Sequence, residues 1–135
     1  MKLLLLFIVS VLIVFMTRQP AHFVELKEKY YEFIKVLPDK FAKLRTPSII
    51  TGTYNRGEFG WNINKGYEIT VCLDEDVNAM FHVLLHELAH CVAEDYGHSA
   101  DFWKIFRDLR QVAVDKGFYT MMKTSEPYCG KKIKD

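Results

Sequence analysis

Residues 79–90 have the sequence AMFHVLLHELAH, an apolar run without glycine or proline that includes HELAH at residues 86–90. A run of this kind predicts a helix buried in a small domain. A step of four residues turns a helix by about 400°, so His86 and His90 lie on one face and can present two imidazoles to one ion. The stretch therefore predicts a metal site on a buried helix.

Glu87 lies between these two histidines, close to the predicted ion without being needed as a ligand. Zinc held by this spacing lowers the pKa of its water from about 15.7 toward ~7, and a neighbouring carboxylate can take the proton. The motif thus predicts metal-assisted peptide hydrolysis with Glu87 as general base. The simpler alternative is a pair of solvated or hydrogen-bonded histidines on an ordinary helix.

His98 is the predicted third ligand, because a catalytic zinc usually has three protein ligands and one position open to water. It follows Gly97, which can adopt positive φ and reverse the chain toward the ion. Glu94 is the alternative, but it lies about 6 Å further along the helix axis than His90. His82, one turn before the motif, is expected to line the cleft or to pack.

HELAH, followed by GHSADFW at residues 97–103, resembles the signature of the WLM and SprT-like zinc peptidases, in which the histidine of a His-x-x-x-Phe element is the third ligand. GFY at 117–119 and EPYCG at 126–130 are similar to small WLM-like proteins of large DNA viruses. The spacer before His98 is about two residues longer than in the WLM pattern. The resemblance implies one catalytic Zn²⁺, a polypeptide substrate and an α+β, zincin-like (minigluzincin-type) domain. Its expected parts are an N-terminal helix, a small mainly antiparallel sheet, the HExxH helix and a following C-terminal helix.

The resemblance also implies an edge strand beside the metal that holds an extended substrate by backbone pairing. Alternation just before the metal helix assigns this role to Glu68, Ile69, Thr70, Val71, Cys72 and Leu73. The developing oxyanion needs a hydrogen-bond donor besides the metal. Tyr119 and Tyr128, which follow the second predicted helix, are the candidates.

The N-terminal residues 3–16 are apolar except for Ser10. This length is short for a spanning helix, which needs ~20 residues, and suits a signal peptide, but no small-x-small cleavage site follows. We predict a single-pass membrane anchor at 1–17, a helical lead-in at 18–47 and the peptidase domain at 48–135. More cations follow the apolar segment than precede it, which predicts a cytosolic catalytic domain; the alternative is secretion after signal cleavage.

The formal net charge of +1 excludes a global field that would attract nucleic acid, and the basic residues 131–134 predict a solvated terminus. The SprT-like resemblance leaves open a DNA-associated protease that acts on protein–DNA crosslinks. A non-catalytic, zinc-stabilised interaction module is the other alternative. Three cysteines do not make a disulfide framework; a bridge between Cys72 and Cys129 would require that the domain face an oxidising compartment, and it is not predicted.

Overall fold

A computed structural model describes residues 1–54 and 57–135, and these ranges contain five helices and five strands. In chain order the helices are α1 (Lys2–Thr17), α2 (Ala21–Lys35), a 3-10 helix (Asp39–Arg45), α3 (Val77–Val92) and α4 (Ala100–Asp115). The strands are β1 (Ile49–Thr53), β2 (Gly60–Ile63), β3 (Glu68–Cys72), β4 (Glu126–Tyr128) and β5 (Lys131–Ile133). The predicted mixed α+β class is confirmed.

The first three strands form one sheet in the order β1-β3-β2, and β4 and β5 form a separate hairpin. The central strand β3 is parallel to β1 and antiparallel to β2. The prediction of a mainly antiparallel sheet is therefore wrong, because only one of the two strand pairs in this sheet is antiparallel. The strand β2 follows β1 in the chain but lies on the far side of β3. That arrangement leaves the other edge of β3 to pair with β1 in the parallel sense.

The buried helix predicted around HELAH is α3, which packs against α2, α4, the 3-10 helix and the strands β2 and β3. Its N-cap is Asp76, whose carboxylate accepts from the backbone N–H of Ala79 at 3.0 Å. Asn78, two residues further on, exchanges hydrogen bonds with the backbone of Thr120 at 2.9 and 3.0 Å. The helix ends at Val92.

The helix α2 packs its apolar face into the same hydrophobic core as the sheet. Its buried residues are Phe23, Leu26, Tyr30, Phe33 and Ile34. The hydroxyl of Tyr30 accepts from the backbone N–H of Ser48 at 2.8 Å, immediately before β1 begins. Residues 18–47 therefore help to position the sheet.

A disulfide between Cys72 and Cys129 ties the β4–β5 hairpin to the end of β3, with the two Cα atoms 6.4 Å apart. Neither the hairpin nor the bridge was expected from the sequence. The two cysteines are 57 residues apart in the chain, so only the folded structure brings them together.

The apolar helix α1 is exposed along its length, and its large side chains from Leu3 to Met16 are 42% to 84% exposed. Among the described residues, no single helix combines the length and the apolar character needed to cross a bilayer. Two consecutive helices, bent by 54° at the break between them, meet the length and composition needed for a span only when they are counted together: Lys2–Met16 and Ala21–Lys35.

Candidate metal centre

Three histidine rings converge on one point beside α3. His86 and His90 come from successive turns of the helix, and His98 comes from the segment just before α4. The Nε2 atom of His98 lies 3.0 Å from Nε2 of His86 and 3.1 Å from Nε2 of His90. One nitrogen of each ring lies within 4.8 Å of the others, and Glu94 is not part of this group. The structure thus brings His98, rather than Glu94, to the two histidines of the motif.

Lys65 holds the segment that carries His98. Its ammonium group donates to the carbonyl oxygens of Ala93 (2.6 Å) and Asp95 (2.8 Å), within the spacer between α3 and α4. The predicted reversal through a left-handed glycine is wrong, because Gly97 is not among the residues with positive φ. The chain turns through the bends that follow α3, and Lys65 binds the carbonyls that these bends leave without helical partners.

Aromatic residues at the start of α4 fix the orientation of the rings. Phe102 stacks on His90 with 4.3 Å between ring centres, and Trp103 stacks on His98 at 5.6 Å. Phe102 also meets the ring of His86 edge-on at 5.0 Å. Ser99 caps α4 by accepting from the backbone N–H of Phe102 at 3.2 Å, so the helix start and the rings are positioned together.

Burial sets the charge state of these groups. It lowers the pKa of His86 to about 4, with further lowering by the neighbouring His90 and His98, and it also lowers the pKa of His90. Both rings are therefore neutral at pH 7, which is the form that binds a metal ion. Burial raises the pKa of Glu87 to about 7, close to the value that suits a group that accepts and donates protons at neutral pH.

A cleft passes the histidines, and Glu87 and His86 line both of its halves. The β2 half has a volume of about 370 Å³ and is bounded by Gly60, Trp61 and Asn62 of β2. The hairpin half has a volume of about 430 Å³ and continues toward β5.

The strand edge beside the cluster belongs to β2, not to residues 68–73. Residues Glu68–Cys72 form the central strand and pair on both sides, so their backbone groups are already used, and Leu73 lies beyond the strand. The prediction of a substrate-binding edge at 68–73 is therefore wrong. The side-chain amide of Asn62 joins β2 to α3 by donating to the carbonyl oxygen of Glu87 at 3.0 Å.

Gly60 allows the close approach of β2 to α3. A β-carbon at this position would lie 2.7 Å from the carbonyl oxygen of Thr70 and 3.0 Å from a methyl carbon of Val83. Any side chain would therefore force β2 away from β3 and from the helix that carries Glu87.

The two candidate oxyanion donors lie outside the cleft. The hydroxyl of Tyr119 donates to Asp135 at 2.6 Å and lies 3.1 Å from Nδ1 of His82. The hydroxyl of Tyr128 donates to the carbonyl oxygen of Cys72. Both tyrosines are buried and committed to these contacts, so the structure does not bring them to the cluster. His82 lines the hairpin half of the cleft, as expected.

The WLM domain family model matches residues 54–132, which is more than half of the chain. An uncharacterized protein of Acanthamoeba polyphaga mimivirus is 34% identical over 80 residues, covering 52% of this chain and 41% of the relative. An uncharacterized protein of Invertebrate iridescent virus 6 is 32% identical over 76 residues, covering 50% of this chain and 42% of the relative. The chain thus spans about two fifths of the length of these curated relatives.

Among solved structures, the crystal structure of Wss1 from Saccharomyces cerevisiae is similar, with a TM-score of 0.45 and 24% sequence identity. The similarity covers 67% of this chain and 84% of that chain. The viral relatives and the matched residues confirm the resemblance seen in the sequence motif: this chain belongs to the WLM domain family.

Proposed function

We propose that this protein is a zinc-dependent metalloendopeptidase with a zincin-like, minigluzincin-type domain. His86, His90 and His98 hold the ion, and Glu87 is the general base. The observation that carries this proposal is the convergence of three imidazole nitrogens within 4.8 Å, beside a carboxylate that faces an open cleft.

The donor set fits a catalytic zinc. Among the described residues the cluster contains three imidazoles and no thiolate, whereas closed structural zinc sites are usually rich in cysteine. The Nε2 atom of His98 lies 3.0 and 3.1 Å from those of His86 and His90, close enough for the three rings to share one ion. Zinc bound here supplies a Lewis acid that activates water and polarises a carbonyl group.

Glu87 is placed to move the protons of peptide hydrolysis. Its carboxylate takes a proton from the attacking water and delivers it to the amine that leaves. Burial raises the pKa of Glu87 to about 7 because it disfavours the charged carboxylate, and a cation beside the carboxylate would favour the charged form.

We propose that β2 is the strand that accepts the substrate. Within the described residues its outer edge has no strand partner, and Gly60, Trp61 and Asn62 line the same cavity as the three histidines. An extended polypeptide can pair with the free backbone groups of such an edge while its scissile bond lies near Glu87.

We also propose that α1 anchors the protein to a membrane, which its exposed apolar surface supports. The balance of cations favoured a cytosolic domain, but the Cys72–Cys129 disulfide favours an oxidising compartment. The disulfide is the stronger indication, since the charge bias involves only a few residues. The proposed orientation therefore places the catalytic domain on the non-cytosolic side.

The proposal is tested by comparing the full chain with its Glu87→Gln variant on a denatured protein substrate. Both proteins are first loaded with zinc, and their zinc content is measured. We expect the variant to retain zinc and to lose at least about a hundredfold in cleavage rate, the contribution typical of a general base. Equal rates, or a zinc-loaded parent that cleaves nothing, would contradict the proposal and favour the non-catalytic interaction module.

A further inference from the structure

The basic residues near the C-terminus form a wall of the cleft rather than a solvated tail. Lys132 and Lys134 line the hairpin half together with Phe59 and Glu87. Between them, Ile133 is only 6% exposed and packs into the core. Ile133 is thus buried at the end of β5, between Lys132 of the strand and Lys134 just beyond it.

Several contacts hold this wall in place. The disulfide at Cys129 ties the turn of the hairpin to β3. Beyond β5, the Asp135 carboxylate accepts from the hydroxyl of Tyr119 at 2.6 Å and from the backbone N–H of Met122, and it lies 3.5 Å from the Arg110 guanidinium. The segment that carries the two lysines is thus fixed at both ends.

Cations only narrowly outnumber carboxylates around this wall: Lys132, Lys134, Arg107 and Arg110 face Glu58, Glu87 and Asp135. A neighbouring cavity of about 420 Å³ shares His86 and Lys134 with the hairpin half and adds Arg107 and Arg110. Arg110 is paired with Asp135, whereas none of Lys132, Lys134 and Arg107 has an ion-pair partner among the described residues. Glu58 lies in the same half, but it is not within ion-pair distance of either lysine.

From this arrangement we propose that the hairpin half of the cleft binds acidic side chains of an extended polypeptide. This inference rests on the proposed function and adds a substrate class to it. The free edge of β2 offers backbone groups that pair with another polypeptide, and Phe59, Val83 and Ile133 give the half an apolar lining. These features favour a peptide over a nucleic acid, which would need a broader basic surface than a chain of formal charge +1 provides.

The test measures peptide binding rather than cleavage. The probes are two fluorescein-labelled pools of short random peptides that differ only in having glutamate or glutamine at the same positions. They are titrated against the zinc-loaded, full-length Glu87→Gln variant, and fluorescence anisotropy is recorded at low and high salt. We expect the glutamate pool to bind roughly tenfold more tightly at low salt, the size that two or three exposed ion pairs give. The preference should shrink as salt screens the charges.

Adding Lys132→Gln and Lys134→Gln to this variant should reduce the preference to about twofold or less, and the corresponding arginine pair should retain it. Lys104→Gln with Lys116→Gln is the matched control, because these lysines are exposed but do not line the cleft. Equal binding of the two pools, or an equal loss in the control, would overturn the proposal. The proposal would also be overturned if the Lys132/Lys134 double variant lost binding to a labelled DNA duplex but kept the parent's preference for the glutamate pool. Failure of the parent chain to cleave protein would instead contradict the proposed function, because this assay does not depend on cleavage.

Discussion

Replacing Lys65 by methionine removes the ammonium group that holds the His98 segment while keeping the length of the side chain. In the structure this group binds the carbonyl oxygens of Ala93 and Asp95 and lies 4.3 Å from the ring centre of Tyr96. Lys65 has φ of 51°, and methionine bears the same backbone cost there as lysine. The substitution therefore tests the contacts rather than the turn.

The expected loss follows from the two hydrogen bonds. Each contributes about 1 kcal/mol net, toward the middle of the range for hydrogen bonds that water can replace. Their sum of about 2 kcal/mol is an upper bound for the loss of zinc affinity, because part of it is shared by the metal-free protein. We expect about 1.4 kcal/mol, which corresponds to a tenfold weaker affinity for zinc.

The assay is competition for zinc between the full-length protein and a chromophoric chelator. Lys65→Arg should restore most of the affinity, since it retains a cation at this position. Lys43→Met is the control, because Lys43 donates to the carbonyl oxygen of Cys91 at 2.7 Å, before the segment that carries His98. Zinc affinity of Lys65→Met within twofold of the parent, or an equal loss in Lys43→Met, would refute the role assigned to Lys65.

Gly60→Ala should lower the free energy of unfolding in urea by about 1–3 kcal/mol, since its β-carbon would lie 2.7 Å from the carbonyl oxygen of Thr70. Gly97→Ala adds a carbon with nothing within 4 Å and should change that free energy by less than about 0.5 kcal/mol; similar losses would contradict the close-packing argument. Removing the Cys72–Cys129 bridge by Cys→Ser substitution of both residues should lower the free energy of unfolding by about 2–4 kcal/mol, given their separation of 57 residues. An unchanged urea midpoint, or three free thiols rather than one in the unfolded, unreduced parent, would show that the bridge does not form.

The centre of the site could be predicted from sequence because its geometry is local. A four-residue step within a continuous helix fixes His86 and His90 on one face, and Glu87 follows from the same helix. His98 could be placed because only a short segment separates it from His90. The route of that segment could not be predicted, since it depends on Lys65, which lies far away in the sequence and near in the fold.

Residues 68–73 were expected at a sheet edge, but they form the central strand, because strand order is a tertiary property. Residues 68–73 alternate well, but alternation marks a strand without showing which strands pair with it. The signal for β2 was weaker yet present: Trp61 and Ile63 alternate with Asn62 between two glycine-containing turns. The short strand was overlooked because its flanking glycines dominate the pattern.

The C-terminal region was the least predictable. Its basic residues resemble a solvated tail, and only the pairing of β4 with β5 turns Ile133 inward and the lysines toward the cleft. The hydroxyls of Tyr119 and Tyr128 are candidate donors in the sequence, but in the folded protein both are buried and donate to Asp135 and to the carbonyl oxygen of Cys72. Hydrogen-bond partners of this kind depend on contacts between distant parts of the chain.

The proposed function depends on a single zinc site formed by His86, His90 and His98. The most direct measurement is the zinc content of the purified full-length protein beside its His98→Ala and Glu94→Ala variants, by elemental analysis after dialysis against a weak chelator. We expect one equivalent of zinc in the parent and in Glu94→Ala, and a clear loss of zinc in His98→Ala. Full retention of zinc in His98→Ala, or its loss in Glu94→Ala alone, would contradict this expectation.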